Sequence, residues 1–198
     1  MPKKIHTPHG PTINDITMPP KEHHTRIAYI NANGIITRDT NRFNDIATYM
    51  AQHQIDIFGI SETNVNTHHT NIYRTLHQTL KSTLKQKNTM ITASHTNLPW
   101  KQQYKPGGVM ILTNNHLTAN TTSRQTDQPY GRWATITIGP KSHQISIITA
   151  YIVCNTPICA TKHKTAAYQQ WTIMSKNNIN GHPKKKELRT CSVTLKKK

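Results

Sequence analysis

The hydrophobic pattern of the first sixty residues predicts a strand, a helix and a second strand. Residues 26–34 (RIAYINANG) alternate in apolar character and stop at an Asn-Gly pair, as a strand does before a turn. Residues 55–62 (IDIFGISE) concentrate four large apolar side chains in the first six positions, which is typical of a short buried strand. Between them, residues 41–54 show helical spacing of the apolar side chains Phe43, Ile46, Ala47 and Met50. This order predicts a crossover that leaves the two strands as parallel neighbours.

The rest of the pattern predicts two more helices and four more strands. Leucine and isoleucine recur every fourth position across residues 68–87, which indicates an amphipathic helix, and residues 164–174 form the last one. The predicted strands are 89–94, 107–113, 131–139 and 143–153. The last three follow one another without helices, so we expect them to form an antiparallel meander. The fold class is therefore α/β, a mixed β-sandwich with helices packed outside.

The two ends of the chain lack any apolar period. We expect residues 1–24 to be a disordered basic arm and residues 177–198 a basic disordered tail, with one domain at 25–176 between them. The lysine run of the tail is most simply a solvated tail, and a nuclear-import signal is the alternative. The longest apolar run, 145–153, is too short to span a bilayer, and no secretory signal opens the chain. These features predict an intracellular protein, nuclear or cytoplasmic, that is not secreted and has no membrane partner.

Charge is the compositional feature that says most about function. Lysine and arginine number 25 against 8 acidic residues, a formal net charge of +17. Such an excess indicates a polyanionic partner, most simply DNA or else RNA, with a solubilising surface as the alternative. Three cysteines without CxxC spacing argue against a disulfide framework or a zinc ribbon, and the paired histidines argue against a zinc site. Nothing in the sequence indicates a small-molecule cofactor.

Glu62 is an unusual ending for an apolar strand. Asn31 and Asn33 end the first strand in a comparable way, and parallel strands bring their carboxyl ends to one edge of a sheet. Amide and carboxylate oxygens suit a hard divalent cation such as Mg²⁺ or Mn²⁺. The alternative is purely structural, an asparagine turn with a glutamate that caps the next segment.

Four short motifs carry a family resemblance. YINANG, then DIFGISET after one helix, then KPGGVMIL and ISIITAYIV resemble the endonuclease/exonuclease/phosphatase superfamily. The match is nearest to its apurinic-endonuclease-like branch in non-LTR retrotransposons and covers residues 26–175. The resemblance implies a DNase I-like fold and a metal-dependent endonuclease that hydrolyses phosphodiester bonds.

The same resemblance suggests roles for individual residues. It assigns the catalytic divalent ion to Asn31 and Glu62, and it brings Tyr151 near the scissile phosphate, so these three form the candidate catalytic set. Tyr151 also has a plain structural alternative, as an aromatic side chain on a core strand. Candidate nucleic-acid contacts are Asn33, Lys105, Arg132 and Asn155.

The chain departs from the family pattern after Tyr151. The family continues with an Asp-x-Asn motif and ends on Ser-Asp-His, whereas Glu187 is the only acidic residue beyond Tyr151 here. We therefore expect the C-terminal half of the sandwich to be missing, with weak or no activity. The competing hypothesis is a non-catalytic basic nucleic-acid-binding remnant, and a lipid phosphatase is a distant third. A half-sandwich would also leave one apolar sheet face uncovered and prone to self-association.

Overall fold

The computed structural model describes residues 24–36, 41–99, 101–153 and 165–177. Within them it contains two β-sheets and four helices. The strands are β1 (Ile27–Asn31), β2 (Ile57–Ser61), β3 (Thr89–Ser94), β4 (Val109–Asn114), β5 (Thr121–Thr126), β6 (Trp133–Ile138) and β7 (Ile145–Ala150). The helices are α1 (Arg42–Gln52), α2 (Thr70–Leu84), α3 (Asn115–Ala119) and α4 (Ala166–Lys176). The predicted fold class, a mixed α/β sandwich with helices packed outside, is confirmed.

The first sheet has four strands in the order β1-β2-β4-β3. β1 and β2 are parallel, with Ile27 opposite Ile57 and Asn31 opposite Ser61, so the predicted parallel pair is confirmed. β4 is antiparallel to both of its neighbours. Because β2 and β4 lie in the middle, every residue of both strands is buried.

Alternate residues of the central strands serve two different cores. Phe58, Ile60, Met110 and Leu112 pack against α1 and α2 on the outer face. Ile57, Val109 and Ile111 point the other way, where they meet Ala134 and Ile136 of β6. The two-residue period of a strand thus places one helix layer and one sheet on opposite faces of the first sheet.

The second sheet is antiparallel, in the order β5-β6-β7. The predicted meander is therefore wrong at its first strand, because β4 pairs with β2 and β3 while β6 and β7 pair in the other sheet. β5 was not predicted at all. Its sequence, TTSRQT, has no apolar residue, and four of its six positions are exposed.

One side of the sandwich is bordered by two edge strands, β1 and β7. Exposed apolar side chains lie there, with Tyr29 58% and Ile145 68% exposed. Ala28 and Ile30 of β1 pack on the helix side, so the exposed Ile27 and Tyr29 lie on the opposite face of the first sheet, and part of that face is uncovered within the described residues.

The predicted arm and tail are almost entirely untested by the structure. The arm and the tail lie outside the described residues, except for their boundary positions. Among the described helices, none combines the length and the apolar character that a membrane crossing requires.

Candidate functional site

The hydrogen-bonded pairing of β1 with β2 continues past the ends of both strands. Gly34 N–H donates to the Glu62 carbonyl at 2.7 Å, and Ile35 N–H donates to the Thr63 carbonyl at 3.0 Å. Asn33 and Glu62 both have left-handed backbones, with φ values of 45° and 50°. Left-handed residues turn the chain sharply, and a non-glycine residue there is uncommon. The two side chains thus leave the sheet from neighbouring turns.

The other flank of Glu62 is held by the turn before β4. Thr63 N–H donates to the Gly108 carbonyl at 3.2 Å, and Asn64 N–H donates to the Gly107 carbonyl at 2.8 Å. Gly107 and Gly108 have φ values of 83° and 84°, and a Cβ on Gly108 would come within 2.2 Å of the His95 ring. Glycine is required at these positions by both backbone conformation and space.

A cleft of about 250 Å³ opens beside these turns. Three of the predicted site residues line it, namely Asn33, Glu62 and Tyr151. The remaining lining residues are Asn64, Tyr104, Pro106, Gly107, Val153, Thr165, Ala166 and Ala167. The cleft therefore joins the carboxyl ends of the parallel strands to the start of α4.

Helix α4 is fixed next to the cleft by two buried glutamines. Thr96 donates its hydroxyl hydrogen to Gln169 Oε1, and Arg132 Nη2 donates to Gln170 Oε1. The helix begins at its cap Thr165, whose hydroxyl accepts from Tyr168 N–H at 3.2 Å. These contacts hold the first turn of α4 against the cleft.

Tyr151 is half-buried just after β7. Its N–H donates to the Arg132 carbonyl at 2.7 Å, and its ring packs against Val153, Ala166 and Ala167. The side chain packs in a small apolar cluster and also lines the cleft.

Asn31 lies beside the cleft and does not line it. It ends β1 opposite Ser61, one position before Glu62, and its Oδ1 accepts from Asn33 N–H at 3.2 Å. An amide oxygen has two lone pairs, so this contact leaves acceptor capacity.

The structure does not bring Lys105 and Arg132 to the cleft. Lys105 is 1% exposed, and its amine donates to the carbonyls of Thr96 at 2.6 Å and Leu98 at 3.0 Å. Burial lowers the pKa of Lys105 to about 8. Arg132 is buried between α4 and the turn at Asp127. In this arrangement neither side chain reaches a phosphate in the cleft. We therefore assign both residues a structural role, in which they hold the loops that they contact. Asn155 lies outside the described residues.

Asp127 serves the turn before β6. Its carboxylate accepts from Arg132 N–H at 2.9 Å, and its carbonyl accepts from Gly131 N–H at 2.8 Å. Burial raises the pKa of Asp127, an effect that the contact with Arg132 opposes. Its position does not make it a second acid for the cleft.

The donor set at the cleft fits a hard divalent ion held by few protein oxygens. No group of three or more histidine, cysteine, aspartate or glutamate side chains comes together within the described ranges. In that same part of the chain no hydrogen bond reaches the half-buried carboxylate of Glu62. Mg²⁺ commonly takes one or two carboxylates together with substrate phosphates and keeps several waters, and Glu62 with an amide oxygen of the same cleft fits that pattern.

Sequence reasoning missed Asn64, Tyr104 and the first turn of α4. Asn64 has a left-handed backbone with φ of 52°, a conformation for which asparagine is enriched. The tolerance of asparagine for a left-handed backbone was the one sequence signal for Asn64, in the run SETNVN. Tyr104 and α4 reach the cleft only through tertiary packing.

No protein-family model matches the chain, and no curated protein matches it. The chain is similar to a solved endonuclease/exonuclease/phosphatase family protein from Leptotrichia buccalis C-1013-b, at 16% identity and a TM-score of 0.45 over 77% of this chain and 63% of that one. It is similar to the AP endonuclease LMAP from Leishmania major, at 16% identity and a TM-score of 0.49 over 67% of this chain and 41% of that one. It is also similar to an endonuclease/exonuclease/phosphatase from Beutenbergia cavernae DSM 12333, at 12% identity and a TM-score of 0.44 over 74% of this chain and 41% of that one. The chain thus spans between 41% and 63% of the lengths of these proteins.

Proposed function

We propose that the chain binds nucleic acid across the cleft and that Glu62 holds a divalent ion there, as in a phosphodiester-cleaving endonuclease domain of retrotransposon type. The proposal rests on the four sequence motifs, the net charge of +17 and the geometry around Glu62. DNA is the first expected partner and RNA the second.

The position of Glu62 is the observation that carries the proposal. Its carboxylate is half-buried at the carboxyl end of a parallel strand pair, the edge where open α/β sheets bind ligands. A capping role would give the carboxylate a backbone N–H partner, and among the described residues it has none. A cation is the partner that best suits it.

Glu62, Asn33 and Tyr151 have named parts in this proposal. Glu62, with Asn31 or Asn33 beside it, would hold Mg²⁺ or Mn²⁺, which when bound supplies Lewis-acid polarisation of a phosphate oxygen. The Tyr151 hydroxyl and the Asn33 amide donate hydrogen bonds to phosphate oxygens and orient the backbone of the nucleic acid. The described residues that line the cleft include one carboxylate and no histidine, so they offer little help in orienting or deprotonating a water. We therefore expect binding with slow or no turnover.

The second candidate function is binding of nucleic acid by charge alone. Two further carboxylates favour it, because each already accepts a hydrogen bond from the protein and does not join Glu62 as an ion ligand. Asp56 accepts from Arg26 N–H at 2.9 Å, and Asp127 accepts from Arg132 N–H in its own turn. This candidate needs neither Glu62 nor an ion.

Two measurements on the full chain separate the candidates. Binding to labelled DNA is titrated at several salt concentrations, where counterion release predicts a steep linear fall of log K with log salt. Plasmid nicking is then followed with Mg²⁺ for the unmodified chain and Glu62→Ala. Metal-dependent binding that weakens in Glu62→Ala supports the ion site, and equal binding by both proteins supports charge alone. A flat salt dependence contradicts both candidates.

A further inference from the structure

We infer that Asn64 is a positioning residue for Glu62. This inference rests on the proposed function, since it concerns how the chain orients the carboxylate that would hold the ion. Asn64 is two residues from Glu62 and lines the same cleft. Its side-chain oxygen already accepts a hydrogen bond from Gly107 N–H, so we do not propose it as a second ligand of the ion.

Asn64 joins the Glu62 turn to the Gly107 turn through both backbone and side chain. Its N–H donates to the Gly107 carbonyl at 2.8 Å, and its Oδ1 accepts from Gly107 N–H at 2.7 Å. Its own carbonyl accepts from Lys105 N–H at 3.1 Å. Three hydrogen bonds from one residue therefore tie the two turns together.

The Glu62 side chain depends on its backbone for its direction. Since no hydrogen bond holds the carboxylate within the described part of the chain, only the left-handed backbone of Glu62 and its packing set where the side chain points. Gly34 fixes one flank of that backbone through the Glu62 carbonyl, and Asn64 fixes the other through Gly107. An oxygen ligand held in place before the ion arrives binds it with a smaller loss of conformational freedom.

The side-chain bond is the part of this arrangement that a substitution can remove cleanly. Gly107 is buried, so loss of the Asn64 Oδ1 acceptor leaves its N–H without this partner and frees the turn to move. Asn64→Gly removes the acceptor and still permits the left-handed backbone. Asn64→Asp keeps an acceptor oxygen at the same position and adds a negative charge to the cleft, so it should bind Mn²⁺ at least as tightly as the unmodified chain.

Asn66 provides a matched control in the same loop. It is 2% exposed, and its side chain donates to the Gln102 carbonyl at 3.3 Å and accepts from His68 N–H at 3.3 Å. Asn66→Ala loosens the loop without touching Gly107. A general structural role for the loop predicts that Asn64→Gly and Asn66→Ala behave alike.

The test measures Mn²⁺ affinity by electron paramagnetic resonance for the full chain and for Asn64→Gly, Asn64→Asp, Asn66→Ala and Glu62→Gln. We expect Asn64→Gly to weaken Mn²⁺ binding by about tenfold, Asn66→Ala to leave it unchanged and Asn64→Asp to retain it. Equal affinity in Asn64→Gly and the unmodified chain would overturn the inference. Unchanged affinity in Glu62→Gln would overturn the proposed ion site itself, so the two failures are distinguishable.

Amide hydrogen exchange supplies a second readout that needs no variant to fold. Coupling is reciprocal, so an ion that binds better when Asn64 holds Gly107 must also strengthen that contact. We expect the Gly107 amide of the unmodified chain to be protected and to exchange severalfold more slowly when Mg²⁺ is added. Rapid exchange that Mg²⁺ does not change would contradict the inference.

Discussion

The two sheets contain similar apolar runs but bury them very differently. In the first sheet, β2 (IFGIS) and β4 (VMILTN) are buried at every position, between the helices and the second sheet. In the second sheet, β7 (ISIITA) has one buried residue in six, with Ile148 49% exposed. The three runs are similarly apolar in sequence, and the position of each strand within its sheet decides how much of it is buried.

This difference shows which part of the protein carries its stability and which part offers surface. β2 and β4 each have a neighbouring strand on both edges and a packed layer on both faces, whereas β7 has one neighbouring strand and is largely exposed. The stability of the described domain should therefore be concentrated in the first sheet, while the side bordered by β1 and β7 remains available for association.

The largest expected contrast comes from matched isoleucine truncations in the two sheets. Ile60 of β2 is 0% exposed, so Ile60→Ala should cost about 2–5 kcal/mol of unfolding free energy. Ile148→Ala in β7 should cost less than about 1 kcal/mol, because half of its side chain already contacts water. Urea unfolding measures both, with Ile60→Val as a milder check at about 1 kcal/mol. Similar costs for the two alanine variants would contradict the comparison.

A smaller effect is expected where the two sheets touch. A Cβ on Gly59 would come within 2.5 Å of Thr149 Oγ1 of β7, so Gly59→Ala should destabilise by about 1–3 kcal/mol through overpacking. Thr149→Ala in the same chain removes the clash and should recover most of that loss. Additive costs in the double-mutant cycle would mean that Thr149 of β7 does not lie against Gly59 of β2.

His95, where loops from both sheets meet, should make stability depend on pH. Burial, with the positive charges of Lys105 and His68, lowers the pKa of His95 to about 3 from 6.5. The unfolded chain then takes up the proton first, so stability is present above pH 6.5 and falls as the pH drops toward 3. The loss should reach about 2 kcal/mol between pH 6.5 and about pH 5. Thermal unfolding of His95→Leu over the same range should show a flatter profile, and an unchanged profile would exclude His95 as the cause.

The smallest effect on folding is expected at the exposed edge. Ile148→Thr should change unfolding free energy by no more than about 0.5 kcal/mol while reducing self-association in sedimentation measurements. Ala134→Ser, a matched change in buried β6, should instead affect folding. Association that is unaffected by Ile148→Thr would place the self-association surface elsewhere.

The sequence predicted those elements whose period agrees with their burial. Phe43, Ile46, Ala47 and Met50 defined α1, and all four are buried as expected. β5 has no apolar residue, and α3 is a single turn with Leu117 as its buried residue, so neither had a detectable period. The pairing of β4 with β2 is a long-range choice that local pattern does not encode.

The site was predictable only in part, for a related reason. Glu62 and Asn33 were identified because polar residues at strand ends are conspicuous, and both line the cleft. Lys105 was predicted as a nucleic-acid contact, and the structure buries its side chain. Its burial depends on two carbonyls, those of Thr96 and Leu98, that only the folded loops bring to its amine.

The most direct test of the ion site is a Mn²⁺ titration of the full chain, Glu62→Gln and Asp45→Asn. Asp45 is an exposed carboxylate in the first turn of α1 and does not line the cleft, so it controls for loss of a negative charge. We expect one ion site in the unmodified chain and in Asp45→Asn, and at least about tenfold weaker binding in Glu62→Gln. Equal Mn²⁺ affinity in all three proteins, or no binding by any of them, would contradict it.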